Sequence, residues 1–401
     1  MTVKITRRNF LEIGLIGLAA IVAACARVLS KPLGTATPAP TATLDNVVRS
    51  YAADDPNIVY TGRVDFSDTK KPKFSAPGVY IQARFRGTSA AVMIQDEFKW
   101  GTERNYYDAV IDDATVVKVS PEKSMIKYVV ASGLPYGEHS LTLVKRTEAS
   151  VGFGEFHGFE FTGEILRAAA QPVRRMEFIG DSISCGSGNE AFNGSDQCQE
   201  NGWGQPYQNA RLAFGPVLAR KMNVAYHVSA VAGIGLIRNY SFKYDARPMP
   251  EVYDSMFFEQ MNSPVWDHNR FVPDALVIAL GTNDFSPGDS ERPSMNVDDF
   301  VAAYLKFIRK LRSYFPNAAI FCISSPMLGN HWPTYKDRFS SDQIDAVHKT
   351  VSTCNATGDL KVYQFMSTKI VGLGCGTHPN VEQHAAMAEE LGATIASVMG
   401  W

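Results

Sequence analysis

The sequence predicts an α/β protein in two parts: a β-sandwich of jelly-roll type, then a parallel five-stranded sheet with helices on both faces. Two stretches of different rhythm within the 401 residues carry this reading. From about Asn46 to Gly163 short β-type segments follow one another between turns; after "ILRAAAQP" apolar strands alternate with helical patterns. In the first stretch "GVYIQARFRG", "AAVMIQDE", "NYYDAVIDD", "TVVKVS", "MIKYVVASGL", "HSLTLVKRT" and "FHGFEFTG" are the candidate strands. Alternation of polar and apolar residues in "HSLTLVKR" has the period of a strand with one buried face. No strong helical period interrupts these segments, which favours sheet packed on sheet.

The second part opens with "RRMEFIGDS" and the helical "NARLAFGPVLARKM", then the strand "VAYHVSAVAG". "DALVIALGTND" precedes "VDDFVAAYLKFIRKLRSYF", "AAIFCISSPM" precedes "SDQIDAVHKTVST", and "LKVYQF" leads into "VEQHAAMAEELGATIASVM". Near-continuous apolar strands joined by helices are the signature of a parallel sheet covered on both faces. Sites in such sheets lie beyond the carboxyl ends of the strands. No long-period repeat is present, which disfavours a solenoid.

The first residues read as an export address. "TRRNFLEIGLIGLAAIVAAC" has paired arginines, an uncharged apolar stretch and small residues before a cysteine. Arg7 and Arg8 with Phe10 and Leu11 resemble a twin-arginine signal, with Glu12 where a lysine often stands. Val22 to Cys25 resembles the lipobox of bacterial lipoproteins, which implies lipidation of Cys25 and a place in the cell envelope or at the cell surface. The apolar run from Ile13 to Ala24 is shorter than the ~20 residues of a membrane span. The expected organisation is a signal over 1–25, a Pro/Thr/Ala-rich linker over 26–45, a β-sandwich over 46–165 and an α/β domain over 172–401.

Composition removes several functions. Hydrophobic residues make up 45% and charged residues 20% of the chain, an ordinary globular balance. Lys+Arg 39 against Asp+Glu 41 gives a formal charge of -2, without the basic field that draws a protein to nucleic acid. Besides Cys25 there are Cys185, Cys198, Cys322, Cys354 and Cys375; no CxxC pair points to zinc, and an odd number leaves at least one thiol free. No metal and no cofactor are expected. A bond between Cys185 and Cys375 is a working hypothesis, suggested by their places beside Ser182 and His378.

Four residues stand at strand ends. Ser182 follows "EFIGD", where a tight turn would expose a nucleophilic hydroxyl at the sheet edge, although Asp and Ser there also serve as caps. Gly233, in "SAVAGIGL", lets backbone N–H groups approach a ligand without a Cβ in the way. Asn283, in "LGTND", has an amide that can donate to a developing oxyanion or simply form a turn. His378 stands in "CGTHPNVEQHAAM"; Asn380 with Gln383 forms a capping pair that puts His378 in the loop before the last helix. An imidazole there can take and return the serine proton. His227 reads as core, His348 and His384 sit on helices, His139 and His157 belong to the β part, and His331 in "MLGNHWP" is the rival.

"FIGDSISCG", "AGIG", "GTND" and "HPN", in that order, resemble the four blocks of the SGNH hydrolases, the GDSL esterases. With a β-sandwich in front, "LVKRTE", "GFGEFHGFEF", "PEVYD" and "VPDALVIALGTNDF", the chain is most similar to carbohydrate esterase family two. The resemblance implies a flavodoxin-like catalytic domain, Ser182 as nucleophile, His378 as general base and acid, and an oxyanion hole of the Ser182 N–H, the Gly233 N–H and the Asn283 side chain. It implies removal of acetyl groups from xylan or other acetylated plant polysaccharides or oligosaccharides. Many members carry an aspartate three residues before the histidine; here that residue is Cys375, and the resemblance implies a Ser–His dyad whose imidazole is oriented by a backbone carbonyl. Trp203 and Trp332, in loops on the same side, either stack on a sugar ring or brace their loops.

Three other readings follow from the same residues. An SGNH esterase on another acyl group, such as a peptidoglycan O-acetyl or a lipid, keeps the chemistry. A catalytically inactive carbohydrate-binding lipoprotein would explain the missing aspartate, against the presence of all four blocks. A dinucleotide fingerprint at Gly186-x-Gly188-x-x-Ala191 fits poorly, since its glycines come late and no acid closes the second strand.

Overall fold

The computed structural model describes residues 46–101, 103–191, 198, 204–240, 246–286, 293–329, 339–370 and 372–401. Its first nine strands are β1 (Val48–Ala52), β2 (Val59–Thr61), β3 (Lys73–Phe74), β4 (Tyr80–Asp96), β5 (Tyr107–Ile111), β6 (Thr115–Val119), β7 (Ile126–Ala131), β8 (Gly137–Lys145) and β9 (Gly154–Leu166). All pair antiparallel in one connected sheet, not in two separate ones. Strand β4 makes this possible by its length: one edge pairs with β8 over Tyr80–Gly87 and then with β7 over Ala90–Ile94. The other edge meets β2 and then β9, with register shifts at Gly87/Ser89 and Met93/Ile94 that bend the ribbon. Alternate residues turn inward and fill the fold with aromatics, Phe85 stacking on Phe161 at 4.4 Å beside Phe156 and Phe159.

The second sheet consists of β10 (Arg175–Gly180), β11 (Ala225–Ala230), β12 (Ala275–Ala279), β13 (Ala319–Ile323) and β14 (Val362–Phe365), all parallel in the order β11-β10-β12-β13-β14. This is the doubly wound order with its switch point between β10 and β12, where a crevice opens at the carboxyl ends. Among the described residues seven helices accompany it: α1 (Ser182–Cys185), α2 (Phe214–Lys221), α3 (Met249–Val252), α4 (Thr282–Phe285), α5 (Val297–Tyr314), α6 (Phe339–Ala356) and α7 (Val381–Met399). Period two sorts the strand residues between faces. Phe178, Val277 and Phe321 pack with Phe214 and Leu218 of α2 and Leu391 and Ile395 of α7. Ile179, Ile278 and Ile320 pack with Tyr304 and Phe307 of α5 and Val347 of α6.

The two parts are locked together by a buried charge network. Arg63, 1% exposed, comes from the antiparallel part and donates to the Tyr253 and Ser255 carbonyls at 2.7 and 2.9 Å. It also reaches Ser229 Oγ, and its Nη2 lies 3.6 Å from Glu177 Oε1 in the middle of β10. Glu177 is further held by the Ser229 and Tyr253 hydroxyls at 2.6 and 2.9 Å. A carboxylate in the centre of a parallel sheet persists only when it is paired and hydrogen-bonded in this way.

Candidate active site

Three strand ends of the parallel sheet and one loop meet at the crevice. Strand β10 stops at Gly180, where a Cβ would sit 2.1 Å from Ser184 Oγ, so only glycine lets α1 fold back over the strand end. Asp181 caps this single turn, its Oδ1 accepting the Ile183 N–H at 3.0 Å, and Ser182 is its first residue. The first N–H groups of a helix have no intrahelical acceptor. That of Ser182 is bound by no acceptor among the described residues.

Ser182 Oγ lies 2.7 Å from His378 Nε2, and His378 Nδ1 lies 2.8 Å from the Cys375 carbonyl oxygen. A donated Nδ1–H leaves the Nε2 lone pair facing the hydroxyl, the tautomer a general base requires. Asn380 accepts the Gln383 N–H while the Gln383 side chain accepts from the Asn380 N–H, the capping box read in the sequence; it starts α7 and leaves His378 just ahead of it. Burial lowers the imidazole from its ordinary value, with the Cys375 carbonyl and the Glu148 carboxylate pulling in the other direction.

Gly233 follows β11 with φ +78°, and its N–H is likewise bound by no acceptor among the described residues. Asn283 is the second residue of α4; its Nδ2 donates to the Ile234 carbonyl at 2.8 Å, which leaves the second hydrogen of the amide. Asp284 beside it is fully buried and accepts from the Leu236, Ile237 and Arg238 N–H groups at 2.8–3.1 Å. That carboxylate gathers the loop after Gly233 onto the end of β12. The Ala232 N–H donates to Glu148 Oε2 at 2.9 Å, so the same loop is also held from the antiparallel part.

The structure therefore brings Ser182, Gly233, Asn283 and His378 to one place. Trp203, Trp332, Cys25 and the rival His331 lie outside the described residues. His227 is in the core, stacked on Phe271 at 3.8 Å, and His384 of α7 accepts the N–H of Phe214 at the start of α2. The hypothesis of a Cys185–Cys375 bond is wrong: Cys375 is bonded to Cys198 and Cys185 is a buried thiol. The last residue of α1 points into the apolar layer with Phe178 and Phe214, while Cys375 stands on the loop side above Gly188. Sequence reasoning also passed over Asp284 and Glu148, although both lie in quoted motifs, "GTND" and "LVKRTE".

Comparison with known proteins gives the arrangement a family. Residues 60–169 match the model of the carbohydrate esterase 2 N-terminal domain, and residues 176–391 that of the GDSL-like lipase/acylhydrolases. A solved family two carbohydrate esterase from Clostridium thermocellum, in complex with cellohexaose, is 34% identical at a TM-score of 0.76, covering 86% of this chain and 99% of that one. The chain belongs to carbohydrate esterase family two. An acetylxylan esterase / glucomannan deacetylase of Cellvibrio japonicus is 30% identical to this family member over 328 residues, 79% of this chain and 83% of that protein. The cellulase/esterase CelE of Acetivibrio thermocellus is 37% identical over 353 residues, which are 87% of this chain but 40% of CelE, so this family two chain spans about two fifths of that relative.

Proposed function

We propose that the protein is a carbohydrate esterase that removes O-acetyl groups from xylan or other acetylated plant polysaccharides through a Ser–His acyl-enzyme. The observation that carries the reading is the relay from Ser182 Oγ through the imidazole of His378 to the Cys375 carbonyl, with contacts of 2.7 and 2.8 Å. In this reading His378 Nε2 takes the Ser182 proton as Oγ bonds to the acetyl carbon. The resulting oxyanion accepts from the Ser182 and Gly233 N–H groups and the remaining N–H of Asn283. Collapse breaks the bond to the sugar oxygen, which receives the proton from His378. Water, deprotonated by the same nitrogen, then attacks the acetyl-serine, releasing acetate and restoring the hydroxyl.

The family and the carbohydrate named with its relatives support a polysaccharide ester over a lipid or peptidoglycan acyl group. Acetate release from acetylated xylan, acetylated glucomannan and O-acetyl peptidoglycan tests both parts. We expect release from the plant polymers and its loss in Ser182→Ala; undiminished turnover in that variant would remove the mechanism, and release from peptidoglycan alone would replace the substrate. Residues 1–25 support export and tethering through a lipid on Cys25 in the cell envelope or at the cell surface. The intact mass of the mature protein, bearing a lipid at that cysteine, checks this.

A further inference from the structure

The site has a base whose partner is a carbonyl, so no carboxylate on its own loop balances the positive charge that His378 acquires during turnover. A carboxylate that acts on this charge comes from the other part of the molecule. Glu148 follows β8 on a segment fixed from several sides. Lys145, fully buried, donates from Nζ to the Thr147 carbonyl, the Thr147 hydroxyl and the Glu148 carbonyl at 2.8, 3.2 and 3.0 Å. Thr147 Oγ1 donates to Asn105 Oδ1 at 2.6 Å, Arg146 pairs with Asp108 at 2.7 Å and with Glu190, and Gln208 Oε1 accepts the Glu148 N–H at 3.1 Å.

With its backbone held there, the Glu148 side chain crosses to the parallel-sheet domain and accepts the Ala232 N–H at 2.9 Å. Ala232 immediately precedes Gly233. Among the described residues, Glu148 favours the protonated imidazole, the imidazole of His384 on α7 lies within its field, and the buried carboxyl of Asp181 stands beside Ser182 on the strand-end turn. Lys145, lowered to about 7 by burial against the pull of Asp96 and Glu148, directs Nζ at main-chain and hydroxyl oxygens, not at the carboxylate.

We propose that Glu148 is a positioning residue with two effects: its hydrogen bond fixes the loop that presents the Gly233 N–H, and its charge stabilises the His378 imidazolium, the role for which position 375 offers no aspartate. The kinetic part of this rests on the acyl-transfer reading above; the electrostatic part does not. Glu148→Gln keeps an acceptor for the Ala232 N–H and removes the charge, whereas Glu148→Ala removes both. For p-nitrophenyl acetate we expect kcat/KM to fall about tenfold in Glu148→Gln, with its acid limb moving to lower pH, and to fall further in Glu148→Ala.

The titration of the His378 ring, followed by proton NMR in Ser182→Ala and in Ser182→Ala/Glu148→Gln, is read without any turnover. Its midpoint should drop by about half a pH unit or more when the charge is removed. An unmoved midpoint overturns the electrostatic proposal even if activity falls, because a merely structural loss would leave it in place. A moved midpoint in a protein that hydrolyses no acetyl ester would instead keep the coupling and sink the proposed function.

Discussion

The Cys375 carbonyl oxygen lies 2.8 Å from Nδ1 of His378, and the residue that supplies it is bonded through sulfur to Cys198. The disulfide thus acts on the orienter of the imidazole, in a turn where Gly376 and Thr377 both have positive φ. Backbone of that kind holds its shape only when its surroundings fix it.

Removing this bond should therefore cost both stability and rate. It closes a sequence separation of 177 residues, and a loop of such length gives about 5 kcal/mol in the chain-entropy account. In Cys198→Ser, thermal unfolding should begin earlier and kcat for p-nitrophenyl acetate should fall more than KM rises. Alkylation of the unreduced, denatured protein should label Cys185, Cys322 and Cys354 and spare Cys198 and Cys375. Full kcat in the variant would show that the carbonyl holds the ring unaided.

Truncating Asn283 should cost the transition state more than the ground state. Its amide is the one side-chain donor in the proposed oxyanion site, and losing one such donor typically costs ~3 kcal/mol, a hundredfold or more in kcat. Asn283→Ala should show that loss with a small change in KM. A KM effect of similar size would mean that the side chain chiefly binds the substrate.

The acid limb of kcat/KM should lie below the ordinary imidazole value of ~6.5. Burial disfavours charge on His378, so the basic form survives to lower pH and activity is lost as pH falls through the depressed value. Asp181, raised to about 7 by burial, stands next to the serine and is the competing assignment. The pH profile of Asp181→Asn separates them: the limb stays if His378 causes it and vanishes if Asp181 does.

Much of this was readable from residue order because the cues are local. The capping pair Asn380 and Gln383 fixed where α7 begins, and with it the loop status of His378. Strand-end motifs located the crevice, since a parallel sheet puts all its carboxyl ends on one side. His227 read correctly as core because its strand neighbours are apolar. Glu148 was invisible for the opposite reason: its part depends on one domain docking on another, which leaves no period in the chain. Pairing among five cysteines is equally non-local, and sequence proximity to Ser182 and His378 suggested the wrong partner. Patterning read "GVYIQARFRG" and "AAVMIQDE" as two strands, where β4 runs unbroken over Tyr80–Asp96 and joins the strands of the β part into one connected sheet.

Arg63 gives the two lobes a shared fate. A hydrolase lobe cut free between β9 and β10 would retain Glu177 in mid-sheet with its cation gone, an uncovered Tyr226 on β11 where Tyr80 now packs, and a Gly233 loop lacking its outside brace. Engineers who graft this catalytic lobe onto another carrier should accordingly move both lobes as one piece, and natural shuffling that kept only one of them would be expected to leave an insoluble remnant.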